Sequence, residues 1–436
     1  MKTKSHINLI FLGLILFIFT VELSAQYGFS EPTNLPVLSY GDPDEWDDET
    51  VWFPCVIKDG DTLKMWYTGR DEIIWQAGIA NVGYAWSLDG ITWDKYSGNP
   101  VLTADLPWEE SSVGPDAVIK DGNTLKMWYS GPGGNGFATS VYGKTWSKHP
   151  DPIGPYEGPA GDWDDAGVWV QTVIKDAGQY KMWYTGLRPG FPQIQALPQI
   201  GLATSTDGLQ WTKHDDPTTT EAPFASSDPV LELGETDAWD QHRAMLPNVL
   251  KNVSGYEMWY TGLKGPINTS VLQHIGYASS TDGISWIKHS ENPIFTDPRE
   301  WGKGIYGGSV LFYDDDYHLW FACFHNLITG AQASPQIGYA NGYGVGVNEL
   351  QQNLQLVHNY PNPFASSTTI EYELTIPEII SITIYNHLGV QIKVIEEKQS
   401  SGKQQVIWQA DNLPAGVYFC VLETNNGIQT TKMIKQ

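Results

Sequence analysis

The chain has 436 residues, and its 50 Asp and Glu outnumber 25 Lys and Arg to leave a formal net charge of −25. A surface this acidic repels nucleic acid and anionic membrane and excludes both as partners, while neutral sugars and cations stay compatible with it. The three cysteines, Cys55, Cys323 and Cys420, match no zinc or redox spacing, so the fold does not rest on a disulfide framework; buried thiols or a single Cys55–Cys323 pair are the alternatives.

Lys2 and Lys4, the apolar run Leu9 to Phe19, and the small residues at Leu23-Ser24-Ala25 read as a secretory signal peptide over residues 1–25. The apolar core is short for a membrane span of ~20 residues.

Residues 26–346 carry an internal repeat. LKMWYTG ends at Gly69, LKMWYSG at Gly131, YKMWYTG at Gly186 and YEMWYTG at Gly262, and HLWFAC at Cys323 is a degenerate fifth copy. Each copy is preceded by a tryptophan (Trp46, Trp108, Trp163, Trp239, Trp301), and twelve residues after it come Lys58, Lys120, Lys175, Lys251 and Tyr313. An interval identical in five copies marks a rigid element. Asp-Gly turns, as at Asp59-Gly60, signal tight hairpins. A third strand (Val82–Ser87, Ile200–Ser205, Ile275–Ser280) and a short fourth starting near Trp93, Trp146, Trp211 and Trp286 complete each unit. Such sheets cannot bury both faces alone. Five of them around an axis can, which predicts an all-β fold, a five-bladed β-propeller. The fifth copy lacks a clear fourth strand, and residues near Val37 are expected to supply it.

The repeated Trp, Tyr and Met residues read as core. Lys148-His149, Lys213-His214 and Lys288-His289 recur at one position and read as blade-edge surface. Function is expected among the unequal loops on one face. The same face is expected to receive acids after the upstream tryptophans: Asp47, Glu109, Asp164 and Asp240, with Gly302 breaking the pattern. Asp116 has no acidic counterpart in other copies, and His242 and Arg243 are unique to the fourth. Trp52 and Trp169 sit at matching positions in the first and third. A ring of acids beside exposed tryptophan suits a sugar, since acids protonate a leaving oxygen and activate water while indoles stack on sugar C–H faces. Asp116, Asp47, Asp164 and Asp240 are therefore the candidate catalytic groups, and Trp52, Trp169, His242 and Arg243 the candidate substrate contacts. A turn or cap for the four post-tryptophan acids, and a plain salt bridge for His242 and Arg243, are the alternatives.

The five-fold pattern, the SLDGITW and STDGISW turns and Gly114–Gly131 resemble the five-bladed glycosidases of the arabinanase, β-xylosidase, invertase and levansucrase group. Gly114-Pro115-Asp116-Ala117-Val118 is similar to a pocket-lining segment of arabinanase-like enzymes. The chain departs from the family's catalytic trio at Trp52-Phe53-Pro54-Cys55, Val170-Gln171-Thr172 and Met245-Leu246-Pro247-Asn248. The resemblance implies carboxylate acid/base chemistry on an oligo- or polysaccharide, that is, a glycoside hydrolase. A non-catalytic carbohydrate- or protein-binding propeller is the alternative. No cofactor is expected, though calcium in the axial channel is compatible with the family.

Residues 347–357 are linker-like. In residues 358–436, His358–Phe364 (HNYPNPF), Ile380–Ile392, Asn412–Thr424 (NLPAGVYFCVLET) and a closing KMIKQ predict a small antiparallel β-sandwich. These motifs resemble the C-terminal sorting domain of type IX secretion cargo. The resemblance implies contact with that secretion machinery and release from, or attachment to, a Bacteroidetes-type outer membrane, without membrane insertion.

Overall fold

The computed structural model describes residues 29–30, 36–71, 79–188, 197–265, 273–296, 304–314, 316–323, 335–342, 358–374, 377–386, 390–424 and 427–436. The signal peptide, the linker, Trp301 and Gly302 lie outside the described residues.

The repeat folds as five antiparallel sheets, each meandering outward from a long inner strand. The inner strands are Thr50–Asp59, Gly114–Asp121, Gly167–Asp176, Arg243–Asn252 and Ile305–Tyr313. Each packs beside the next, and the fifth packs against the first, so the ring closes. The outermost strand of the first four sheets is two residues long, as in Asp94–Lys95. In the fifth sheet the chain start supplies it: Phe29 pairs with Gly342 and Ser30 with Asn341, and the Val37 N–H donates to the Ile337 carbonyl at 2.9 Å.

Side chains strap neighbouring inner strands together. The Val118 N–H donates to Cys55 Sγ at 3.1 Å, the Val249 N–H to Thr172 Oγ1 at 3.2 Å and the Val310 N–H to Asn248 Oδ1 at 3.0 Å. Cys55, Cys323 and Cys420 are all buried free thiols, and burial pushes the Cys55 thiol up to about 12.

The repeated aromatics are the core. Trp66, Trp128, Trp183 and Trp320 are fully buried, and each indole donates to a turn glycine carbonyl of an adjacent sheet: Gly143, Gly208, Gly283 and Gly90. At Gly143 only glycine fits, because φ is +81° and a Cβ would lie 2.3 Å from the Trp66 ring.

Residues 358–436 form a second all-β unit. A three-stranded and a four-stranded antiparallel sheet share a core that includes Phe364, Ile382, Trp408, Tyr418, Leu422 and Met433. Phe364 of the NPF motif bonds the final strand on both sides, its N–H to the Ile434 carbonyl and its carbonyl to the Gln436 N–H. The motifs that mark this unit in the sequence are thus the contacts that join its first and last segments.

Candidate functional site

The acids that follow the upstream tryptophans do not face the axis. Asp47 Oδ2 accepts from the Tyr67 hydroxyl at 2.9 Å and from Lys95 Nζ at 2.7 Å. Glu109 does the same with Tyr129 at 2.7 Å and Lys148 at 2.7 Å. Asp164 takes Tyr184 at 3.2 Å and Lys213 at 2.5 Å, and Asp240 takes Tyr260 at 2.9 Å and Lys288 at 2.7 Å. The lysines belong to the outermost strands, and the Tyr67 ring lies across Gly83 of the third strand. Each triad therefore draws its acid toward the blade periphery. The carboxylates are at most 2% exposed. Burial first, then the neighbouring acid, holds the Tyr67 and Tyr260 hydroxyls far above the ordinary phenol range.

The expectation that Asp47, Asp164 and Asp240 meet substrate is corrected on this geometry, because each carboxylate is enclosed and drawn toward a tyrosine and a peripheral lysine, out of reach of a sugar. The lysines of the Lys-His pairs lie on the outermost strands, the blade edge, where they are the triads' cations. The fifth sheet has Phe321, with no hydroxyl, where the others have tyrosine, and its sequence has Gly302 in place of the acid. Loss of both partners together marks the triad as one structural unit.

Chemistry instead gathers on the inner strands. Every one carries a one-residue bulge at the same height: between Trp52 and Cys55, Pro115 and Ala117, Val170 and Thr172, Met245 and Asn248, and Tyr306 and Gly308. Bulges re-aim side chains, and at these bulges stand Phe53, Asp116, Gln171, Leu246 and Gly307, Asp116 and Gln171 lying one residue closer to the Cys55, Ala117, Thr172, Asn248 and Ser309 row than the other three. Phe53, Leu246 and Gly307 adopt φ of 47°, 54° and 62°, a region bulky residues rarely occupy. A Cβ on Gly307 would lie 3.5 Å from both Leu246 Cδ1 and Phe53 Cδ1, so the two apolar side chains converge there.

Asp116 is the one carboxylate at these bulges among the described residues. Its Oδ1 accepts from the Ser130 hydroxyl at 3.2 Å. Oδ2 is enclosed without a hydrogen-bond partner. Burial disfavours the anion and raises the Asp116 carboxyl well above the ordinary range, with Ser130 opposing it. The neighbouring bulge residue is held differently: Gln171 Oε1 accepts from the Thr185 N–H at 3.1 Å and hydroxyl at 2.9 Å.

One register step toward the loop-bearing face lie Trp52, Gly114, Trp169, Met245 and Tyr306, paired with Thr68, Ser130, Thr185, Thr261 and Ala322. Trp52 stacks on Phe53 with ring centroids 4.4 Å apart, and Phe53 meets Tyr306 at 5.8 Å. Trp169 is 39% exposed and free to receive a ligand face. Arg243, two residues before Met245, is buried, makes no ion pair with a described carboxylate, and is pulled down by burial while sensing Tyr306. His242 has its Nδ1 enclosed without a partner. Inner strands thus bring Trp52, Asp116, Trp169 and Arg243 to one ring.

Tyr306 and Ser130 escaped the sequence reading. Pro54, Pro115, Pro247 and Gly307 were the available signal, since proline or glycine inside a strand marks a bulge. Among the described residues no group of three His, Cys, Asp or Glu gathers that could hold a metal ion.

The model of the secretion system C-terminal sorting domain matches residues 358–436. The C-terminal unit is a secretion-system sorting domain. The chain is accordingly a type IX cargo, secreted or attached at the cell surface. The chain is 26% identical over 242 residues to an uncharacterized protein of Mycobacterium tuberculosis, covering 52% of this chain and 72% of the relative. It is 29% identical over 125 residues to the β-1,2-mannobiose phosphorylase of a Thermoanaerobacter species, covering 26% of this chain and 41% of that protein. Its fold is similar to a solved structure from the family of mannoside phosphorylases that contains glycoside hydrolases targeting β-1,2 mannosidic linkages in Candida mannan. That match has a TM-score of 0.54 and 18% identity, over 73% of this chain and 95% of the other.

Proposed function

We propose that the ring is a glycan-active enzyme that cleaves glycosidic bonds outside the cell, with Asp116 as proton donor. The observation that carries this reading is the Asp116 carboxyl at its bulge, with Oδ2 enclosed and unpartnered and its proton affinity raised by burial, near the row that holds Trp52, Trp169 and Tyr306. A neutral carboxylic acid near the operating pH can protonate the leaving oxygen as the anomeric C–O bond breaks. The aromatic row supplies faces for the sugar ring, and Ser130 holds the acid's other oxygen. The substrate class is an oligo- or polysaccharide, and the mannoside activities of the relatives make β-mannosides the first to assay.

The nucleophile admits a second reading. Hydrolysis needs a base to take a proton from water, commonly a second carboxylate about 6.5–9.5 Å from the acid in inverting enzymes. Asp116 has no such partner among the described inner-strand residues. Phosphate is already an anion and needs no base, and the guanidinium of Arg243 beside His242, which makes no ion pair with a described carboxylate, suits it. Phosphorolysis is therefore carried by a separate observation.

The test is turnover of β-mannosides, aryl glycosides and plant polysaccharides by the full chain, with and without phosphate. Asp116→Asn should lose activity in either case, and a wild-type rate would remove Asp116 from the chemistry. A phosphate requirement, abolished in Arg243→Met, would select phosphorolysis. Retention on a polysaccharide gel without turnover of any substrate would replace both readings with a binding propeller.

A further inference from the structure

The seam between the first and second sheets holds an open cavity of about 800 Å³ whose walls include Lys64, Tyr84, Thr139, Tyr142, Lys144 and Ser147. It lies at the hairpin end of the strands. Lys64 begins the same strand that Trp52 meets at Thr68, farther along toward the opposite face.

The cavity lies where leucine replaces a tyrosine of the repeat: the equivalent residues are Leu63 and Leu125 in the first and second sheets and Tyr180, Tyr256 and Tyr317 in the other three. At the seams that follow, a tyrosine from the next sheet fills this space: Tyr180 meets Lys126 Nζ at 2.5 Å, Tyr256 meets Lys181 Nζ at 2.7 Å, and the Tyr317 hydroxyl donates to Glu257 at 2.7 Å. At the fifth-to-first seam His318 stacks on Tyr313 with centroids 3.7 Å apart. In the second sheet the corresponding residue is Leu125, which has no hydroxyl and does not reach Lys64. The third-to-fourth strand turn of the same sheet also departs. Where other sheets read Asp89-Gly90-Ile91, Asp207-Gly208-Leu209 and Asp282-Gly283-Ile284, this one reads Tyr142-Gly143-Lys144. In those turns the aspartate accepts backbone N–H groups and so folds the turn. Tyr142 gives up that role and stands 76% exposed at the cavity.

Lys144 Nζ sits over the rings of Tyr96 at 4.5 Å and Tyr84 at 5.6 Å and pairs with no described carboxylate. Most lysines of the ring are held by an acid, as Lys64 is by Asp59 at 2.6 Å. No acid lines the cavity, although the chain carries a net −25.

We propose that this cavity is a secondary binding site for an anionic sugar, one bearing a carboxylate or sulfate. Tyr142 offers an exposed stacking face, Thr139 and Ser147 hydroxyl partners, and Lys144 a counter-charge paired with no described carboxylate. Sited away from Asp116, it anchors a polysaccharide rather than cleaving it. The choice of a sugar rests on the glycan reading above; the choice of an anion rests on Lys144 and the acid-free walls.

The test is affinity electrophoresis of the full chain through gels containing polygalacturonate, a sulfated galactan or neutral mannan. The wild type should be retarded by at least one acidic polymer, and the polymer that does so names the anionic group. Leu125→Tyr, which supplies the tyrosine found at three other seams, and Lys144→Ala should each weaken retardation at least about fivefold, with unchanged Tm. If Leu125→Tyr does not fold, the exposed Lys144→Ala still decides. Absence of retardation in both acidic gels, or full retardation of Lys144→Ala, overturns the proposal. Asp116→Asn should be retarded like the wild type, so failure of the catalytic reading leaves this result distinct.

Discussion

The Ser309 hydroxyl of the last sheet accepts the backbone N–H of Val56 in the first, at 2.9 Å. It is the strap that Cys55, Thr172 and Asn248 make between consecutive sheets, here joining residues at opposite ends of the ring. Ala117 is the one residue in this row without a polar group. Closure therefore rests on a buried side-chain bond as well as on Phe29–Ser30.

Ser309→Ala should destabilise the ring. Ser309 is 4% exposed, so the variant leaves the Val56 N–H buried and unsatisfied, at a cost of about 1–3 kcal/mol. Chemical denaturation measures it. An unchanged midpoint would mean that the outer strand alone closes the ring.

Asp240→Asn should act on stability and not on chemistry. It leaves Lys288 and the Tyr260 hydroxyl facing a neutral amide in a largely enclosed place. Removing one partner of a buried pair costs about 3–5 kcal/mol; Lys288 is 28% exposed, which lowers the expectation to about 2 kcal/mol after solvent screening. The folded variant should turn over substrate at the wild-type rate. A native melting temperature with no activity would return Asp240 to the catalytic set.

Asp116 ties activity to pH through its raised carboxyl. The folded state holds the proton more tightly than the unfolded chain. Stability associated with this group is therefore full at acid pH and declines as pH rises from the ordinary carboxylate range through the raised folded value. Turnover should fall over the same upper limb as the acid ionises. Asp116→Asn should flatten this component of stability against pH, keep the melting temperature or raise it above neutrality, and cut turnover by about 10²–10⁴. A variant that loses stability at neutral pH would show that the carboxylate is structural.

Trp183 and Trp259 occupy equivalent core positions with different indole partners. Trp183 Nε1 donates to the Gly283 carbonyl at 3.1 Å, whereas Trp259 Nε1 is buried without a partner among the described residues. The fifth sheet takes its outer strand from the chain start and so has no described turn glycine there. Trp183→Phe should cost about 1 kcal/mol more than Trp259→Phe, as compared by urea denaturation. Equal losses would place an acceptor near Trp259.

The repeat was legible because packing is local and periodic. Trp66 and its counterparts, the twelve-residue interval to Lys58 and the Asp-Gly turns each reflect a constraint within one sheet, and five copies make it unmistakable. NYPNPF and KMIKQ were equally readable, since Phe364 and Met433 sit in the core they specify. The acids were not. Asp164 after Trp163 looks the same in sequence whether it points at the axis or at Lys213, because its partner lies 49 residues away on the outermost strand.

Residue order alone determined the number of repeats, the strand pattern and the sorting domain, since each depends on neighbours within a few turns of chain. The three-dimensional ring decided which acid stands on an inner-strand bulge with an oxygen unpartnered, which lysine faces an open cavity and which seam is left open. Those properties belong to surfaces assembled from different sheets, and a carboxylate's proton affinity follows from what closes over it. Asp116 already stood alone in the sequence, but its raised carboxyl, like the setting of Lys144, appeared only once Ser130, Leu125 and the aromatic rows had been brought beside them.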